Sequence, residues 1–446
     1  MEKGLYNKFY QYLTAAFEQD GISIPGEPEA VAAERKTAFN LFKEKGFPTV
    51  KNEEWKYTSL NRFLTPDYQL QKAYPVEDLR PRALPEDIKA IDCFRVIFVN
   101  GVLVSSLSDS LPEGVTLLTG AQALQHPAFS NMFLKIAQDE TNPVLALNTA
   151  FFRDFYFLNI DKGKILEKPI YFLHTYTADN PAFIPYRIFI SAGSLSQASL
   201  IETFYSETEE APIFVSYVTE QLVDEGAVLN TNIINNLTEN ISLVEFRETQ
   251  QQQNSVFHDM NISFPGAALI RNNIHCRIQG QNAEANLWGI YLSGNQQLVD
   301  NHTIADHQVP NCVSNEHYKG ILLDKSHGVF SGRIIVRPDA QKTNAFQQNN
   351  NLLLTDQAVA NSKPQLEIFA DDVKCSHGST FGQLDQEAMF YLKTRGLSEE
   401  TANKMMIEAF AYDVLSKIEI EPLREHITNL IHKYLEDREA VTAASL

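Results

Sequence analysis

Between about Asp92 and Thr380 the chain is a succession of short strand-like runs separated by Gly, Asn, Asp and Pro turns. No helical period is apparent between these runs, which argues against a βαβ architecture. In one run, Ala227, Leu229, Thr231 and Ile233 fall on one side of a strand and Asn230 and Asn232 on the other. Ala268, Ile270, Asn272, Ile274, Cys276 and Ile278 repeat the pattern, with Arg271, His275 and Arg277 opposite. Ser242, Val244 and Phe246 repeat it more weakly. A stretch this long exceeds an ordinary sandwich. A stacked solenoid, in which each coil buries its apolar face on the next, accommodates it. No strict repeat length emerges, and a very large sandwich or a propeller satisfies the same pattern.

Both ends read as helical. Leu5, Phe9, Tyr12, Leu13 and Phe17 recur every three or four residues, and Gly21 closes that helix. A second helix over 29–45 buries Ala38, Phe39, Leu41 and Phe42 and stops at Gly46. Residues 74–91, spaced by Pro75, Pro81 and Pro85, read as a connector. Beyond Gly382 come three stripes. The first is Leu384, Ala388 and Tyr391/Leu392. The second is Ala402, Met406 and Ala409/Phe410, continuing less regularly through Leu415 and Ile418, with Ser398 as N-cap and Glu399 and Glu400 in its first turn. The third is Leu423, Ile427, Leu430/Ile431 and Tyr434. The expected organisation is therefore an N-terminal helical part and linker (1–91), a β core (92–380) and a C-terminal helical part (381–446).

The formal net charge of −19 argues against nucleic acid and anionic membrane as partners, since both are polyanions. No stretch approaches the ~20 apolar residues of a membrane helix. The first twenty residues lack a basic start followed by an apolar run, so no signal peptide is expected and a reducing cytoplasm is the expected location. HExxH, GxSxG and phosphate-loop motifs are absent. One alternative reading is a β-helix carbohydrate lyase or hydrolase, which needs clustered carboxylates. The adjacent pair Asp371-Asp372 would point to opposite faces of a strand and reads better as a turn. His302, His307, His317 and His327 crowd one region at no metal-ligand spacing and read as scattered surface or partner-facing side chains.

The four cysteines, Cys93, Cys276, Cys312 and Cys375, form no CxxC pair. Cys276 shares the apolar parity of its strand and reads as a small buried hydrophobe. Cys93 looks structural, and Cys312 is expected in an exposed polar loop. Cys375 stands in Cys375-Ser376-His377, after the alternation Leu366, Ile368, Ala370. On an extended strand Cys375 and His377 project to the same side. Thiolate and imidazole can both ligate iron, and a nearby imidazolium would lower the thiol pKa. Two ligands do not make a site, so a partner chain must supply the others. On composition alone a structural role for the pair is the simpler reading.

The stretch from Ala370 to Asp385, Ala-Asp-Asp-Val-Lys-Cys-Ser-His-Gly-Ser-Thr-Phe-Gly-Gln-Leu-Asp, resembles the signature of the SufB/SufD family of iron–sulfur cluster assembly proteins. The resemblance continues through Phe390-Tyr391-Leu392-Lys393-Thr394-Arg395-Gly396. Upstream it takes in Tyr318-Lys319-Gly320, Gly328-Val329-Phe330-Ser331-Gly332, Ala340-Gln341-Lys342-Thr343, Asn351-Leu352-Leu353-Leu354 and Lys363-Pro364-Gln365-Leu366-Glu367-Ile368. Near the N-terminus, Glu54-Trp55-Lys56-Tyr57-Thr58-Ser59-Leu60 is similar to the family's other short signature. Cys-Ser-His-Gly, where SufB-type chains carry a glutamate-containing stretch, resembles the SufD type. Ser379, and Asn311 before Cys312, depart from the residues frequent there; the latter weakens any metal role for Cys312.

The resemblance implies a mainly β fold, a right-handed parallel β-helix between N-terminal and C-terminal α-helical domains. It implies a non-catalytic scaffold subunit that pairs with a SufB-type chain through the β-helix and docks SufC, an ABC-type ATPase, through its C-terminal helices. A homodimer is open to the isolated chain. Sulfur would come indirectly, from a cysteine desulfurase system. Cys375 and His377 would then face a transient iron–sulfur cluster shared with the partner chain, and Met405, Met406 and Phe410 are the expected ATPase contacts. The resemblance leaves iron, sulfur and a flavin all open as direct contacts of this chain within the complex.

Overall fold

Among the described residues two ten-stranded sheets run side by side, and the chain passes from one to the other at every strand from Ile170 onward. The computed structural model describes residues 7–20, 24, 27–71, 90–130, 132–137, 141–206 and 211–444. Successive strands of one sheet pair in parallel, so the chain winds as a β-solenoid of about eight turns. The sheet ending in Val359–Ile368 is here called sheet A, and that ending in Lys374–Gly382 sheet B. The expected β-helix is thus the observed fold.

The coil length explains why no strict repeat is visible. One turn advances 27 residues from Ser242 to Leu269 and 32 from His327 to Val359. The extra residues enter at corners, where Asn254, Asn282, Asn295 and Asn311 adopt positive φ. Asn tolerates this left-handed conformation better than other residues with a side chain, hence the Asn-rich turns.

Strand parity follows the sequence pattern in most places. Leu229, Thr231, Ile233, Ile270, Ile274, Cys276 and Ile278 all point into the buried interior. Ser242, Val244 and Phe246 do not share this direction. Val244 and Phe246 pack outward beneath the N-terminal helices, while Leu243 faces the interior. Both faces of sheet A are covered here, so alternation no longer marks the inside.

The N-terminal helices α1 (Asn7–Asp20) and α2 (Glu29–Lys45) cover sheet A. Phe9, Leu13, Phe39 and Phe42 pack on Phe183, Phe214 and Val218. Gly46 ends α2 at φ 65°, its N–H bonded to the Phe42 carbonyl, as its position predicts. Leu5, Gly21 and most of the Pro-spaced connector lie outside the described residues. A further helix, α3 (Pro143–Phe151), interrupts the zone read as purely β. Asn142 caps it through Val144 and Leu145 N–H, but eight of its nine residues are buried, so it has no amphipathic period to betray it.

The C-terminal helices are α4 (Gln386–Thr394), α5 (Glu399–Leu415) and α6 (Glu421–Ala444). Ser398 caps α5 through the Thr401 N–H at 3.0 Å. Its buried face is Ala402, Ile407, Ala411, Val414 and Leu415, which corrects the expected Met406–Ala409 stripe. Ala409 is exposed; both rows fit a 3.6-residue period, and packing on sheet B selects the one with the larger aliphatic side chains. In α6, Leu423, Ile427 and Ile431 are buried as expected, with Leu435 continuing the stripe. These helices lie on the outer face of sheet B, against Ile234, Met260, Ile290 and Ile321. Lys319 ties α5 down, its Nζ donating to the Phe410 carbonyl at 2.6 Å. No helix among the described residues is long and apolar enough to cross a membrane.

Candidate functional site

Among the described residues the solenoid ends without a cap strand. Val359–Ile368 and Lys374–Gly382 are the terminal strands of their sheets, each paired on one side only among the described residues. They are separate strands, so the alternation through Ile368 does not run on into Cys375; the turn at Phe369–Val373 intervenes. Asp371 and Asp372 sit exposed in that turn, as expected, and converge on nothing. Phe346, Val359, Phe369 and Phe381 leave large apolar area exposed around this end.

Cys375 and His377 share the inward-facing parity of the last strand. Cys375 pairs with Ala345 and His377 with Gln347. The thiol is half-buried against a small cluster that includes Ala305, Ile334 and Ala345. Burial pushes its pKa up, opposed by a backbone hydrogen bond at Ala345, so the expected lowering by a neighbouring imidazolium is not what this arrangement gives. His377 is exposed and borders a groove of about 460 Å³, with Trp288, His317, Phe346, Gln348 and Ser376 among its other lining residues.

Beneath His377 lies a feature the sequence did not reveal. Acidic and amide side chains run along the interior of the helix, between the sheets. Glu316 is fully buried, and burial pushes its carboxyl up to about 7 against hydrogen bonds from Thr303 and Gln347. Farther in, Arg247 pairs with Asp259 at 2.8 Å and with Glu245. Glu202, pushed up to about 7 mainly by burial, accepts the Tyr217 hydroxyl at 3.1 Å. These residues occupy the inward parity of their strands among apolar neighbours. A Glu at an apolar parity position was the available signal.

The remaining candidates fall elsewhere. Cys312 is fully buried, its Sγ donating to the Gly280 carbonyl at 3.3 Å; the expected exposed loop is a closed corner of the coil. Cys93 and Cys276 are buried thiols, and burial pushes both up. The four clustered histidines diverge. His302 meets Asp300 and Glu54, His307 points inward to Ser314, His317 bonds Asn350 and His327 bonds Asn361. Among the described residues no three His, Cys, Asp or Glu side chains converge to hold a metal ion. Any metal bound by Cys375 and His377 therefore needs ligands from outside the described chain. Of the expected partner contacts, Met405 is exposed and Met406 half-buried. Phe410 turns inward, 4.6 Å beneath the Lys319 ammonium, while Phe390, Tyr391 and Tyr412 present more exposed surface.

These features define a parallel β-helix protein with helices on both flanks, two strand edges unpaired among the described residues and a same-face cysteine and histidine on its last strand. Two family models match it: the SufBD protein N-terminal region over residues 6–172, and the SufBD core domain of the SUF iron–sulfur cluster assembly system over 174–410. The chain belongs to the SufBD family of iron–sulfur cluster assembly proteins. It is 28% identical over 420 residues to an iron–sulfur cluster assembly SufBD family protein of Synechocystis, covering 91% of each chain. It is 27% identical over 393 residues to the iron–sulfur cluster assembly protein SufD of Escherichia coli, covering 86% of this chain and 88% of that one. A SufBD family protein of Mycobacterium tuberculosis is 31% identical over 229 residues, half of this chain and 57% of the other.

Proposed function

We propose that this chain is the SufD-type scaffold subunit of a SufBCD complex, with no turnover of its own. Its terminal coil abuts the β-helix of a SufB-type partner, and Cys375 and His377 contribute to a transient iron–sulfur cluster whose other ligands the partner supplies. The observation that carries this reading is the pairing of two unpaired strand edges with a same-face Cys and His on the last strand. Exposed edges are templates for strand addition, and proteins that leave them open and apolar use them for pairing. With no such partner present, a second copy of the chain could occupy the same edge.

The C-terminal helices form the docking surface for the SufC-type ATPase. Phe390, Tyr391, Met405 and Tyr412 supply the exposed apolar contacts, with Met406 at their margin. The cysteine desulfurase system delivers sulfur to the complex, not to an isolated chain. Four free thiols suit a reducing cytoplasm.

Co-expression with the two partners tests the reading. Phe369→Glu with Phe381→Glu places charge on the terminal coil at exposed positions. This double variant should fold, keep the ATPase and lose the SufB-type chain. A variant that still co-purifies with the SufB-type chain at wild-type yield would overturn pairing through this end.

A further inference from the structure

Gln347 and His377 are direct neighbours across the last strand pair, both on the inward parity. The Gln347 side chain is anchored at its nitrogen. Nε2 donates to Glu316 Oε2 at 2.9 Å, and Thr303 Oγ1 donates to the same oxygen at 2.7 Å. From the facing sheet, Gly332 leaves the room this amide needs: a Cβ there would stand 2.3 Å from Gln347 Nε2. An amide held by its nitrogen has its oxygen directed away from that anchor. Gln347 Oε1 is buried and, among the described residues, has no hydrogen-bond partner. A buried acceptor left bare forfeits its hydration with nothing in return, so a donor within reach is strongly favoured. In-register residues on adjacent strands stand about 4.8 Å apart, well within reach of a Gln amide and an imidazole.

We infer that Gln347 is a positioning residue for His377: its Oε1 accepts one imidazole N–H and holds the ring in a single tautomer. The other ring nitrogen then keeps its lone pair directed at the open end of the solenoid. His377 is exposed, so the rotation that brings its N–H onto Gln347 is a rapid side-chain movement. An imidazole that ligates a metal needs its second nitrogen fixed in this way. Only that last consequence rests on the proposed cluster role. The tautomer itself is a property of this chain alone.

Ring-¹⁵N NMR of the full-length chain with labelled histidine tests it, at a pH where the ring is neutral. The His377 signals are those lost in His377→Ala. Wild type should show two widely separated ring-nitrogen shifts, one protonated and one bare. Gln347→Met keeps the length but removes the acceptor, and should collapse the pair toward the averaged values of a free histidine. Gln347→Glu restores an acceptor oxygen and should restore the separation. Thr303→Val removes the other donor to Glu316 without touching Gln347 Oε1, so it controls for stability loss and should leave the spectrum unchanged. Averaged shifts in wild type, or an unchanged separation in Gln347→Met, would overturn the inference. Iron content of the assembled complex reports separately. A fixed ring together with wild-type iron in His377→Ala would leave the positioning intact and refute the cluster role. Iron loss in His377→Ala with a freely averaging ring would do the reverse.

Discussion

Trp55 lies beneath Arg271, its ring centroid 3.7 Å from the guanidinium carbon. Arg271 is buried on the outer face of sheet A, donates to the Glu54 carbonyl and pairs with Asp300, which also takes the Thr58 hydroxyl. The short N-terminal signature Glu54–Leu60 is therefore a staple that fastens the N-terminal part to successive coils of the β-helix. Glu54, held at about 2 by its hydrogen bond to His302 although its side chain is partly exposed, belongs to the same knot.

Trp55→Ala should cost about 3–5 kcal/mol, the usual loss for a buried Trp, and bare Arg271 as well. Thermal unfolding should show a lower first transition. Iron and sulfide per folded complex should stay at wild type, because Trp55 itself packs on Arg271, which lies on a strand of sheet A three positions in from the terminal one.

Glu202 predicts a pH effect of defined sign. Its folded pKa, about 7, lies above the ordinary 4.5, so the folded state holds the proton more tightly than the unfolded one. The associated stability is complete below about pH 4.5 and is lost as pH rises toward 7. Glu202→Gln keeps an acceptor for Tyr217 and removes the titration. Denaturant unfolding should find wild type losing stability relative to this variant between those pH values. Parallel curves would contradict the buried-proton account.

Much of the fold was legible because its strands alternate and its helices carry stripes, as at Ile270–Ile278 and Leu423–Ile431. Three things were not. Helix α3 is buried all round and so lacks a period. Val244 and Phe246 carry the right alternation but face a second apolar layer. The interior residues Glu316 and Gln347 look like surface residues in sequence, and only the register of stacked coils brings them under His377. The Cys375–His377 pair was legible by parity, yet its unpaired edge and half-buried thiol are tertiary facts.

ATPase docking should depend on exposed side chains and not on the helical fold. Deleting the C-terminal helices would strip sheet B of the cover that Ile407, Val414 and Ile427 provide, so truncation is a poor test. Phe390→Ser combined with Met405→Ser and Tyr412→Ser leaves that buried face intact. Melting temperature should hold, pull-down of the SufC-type chain should fail, and pairing with the SufB-type chain should survive.

Lys319 makes a separate prediction. Its ammonium donates to the Phe410 carbonyl and pairs with Asp413 from a nearly buried position. Charged hydrogen bonds of this kind contribute about 1.5–3 kcal/mol. In Lys319→Met, hydrogen exchange should speed up in α5 while the sheet strands keep their protection.

The most direct test of the central claim is the iron and acid-labile sulfide content of reconstituted complexes carrying Cys375→Ala or His377→Ala. Both side chains lie at the open end, and neither change should cost more than about 1 kcal/mol, so complexes should assemble. Cys276→Ala, at a fully buried position, is the control and should lower the melting temperature while leaving cluster yield per complex unchanged. The account predicts reduced iron and sulfide in both end variants, more severely for His377→Ala. Assembled complexes with wild-type iron and sulfide in both variants would contradict it and leave the chain an adaptor that touches no cluster.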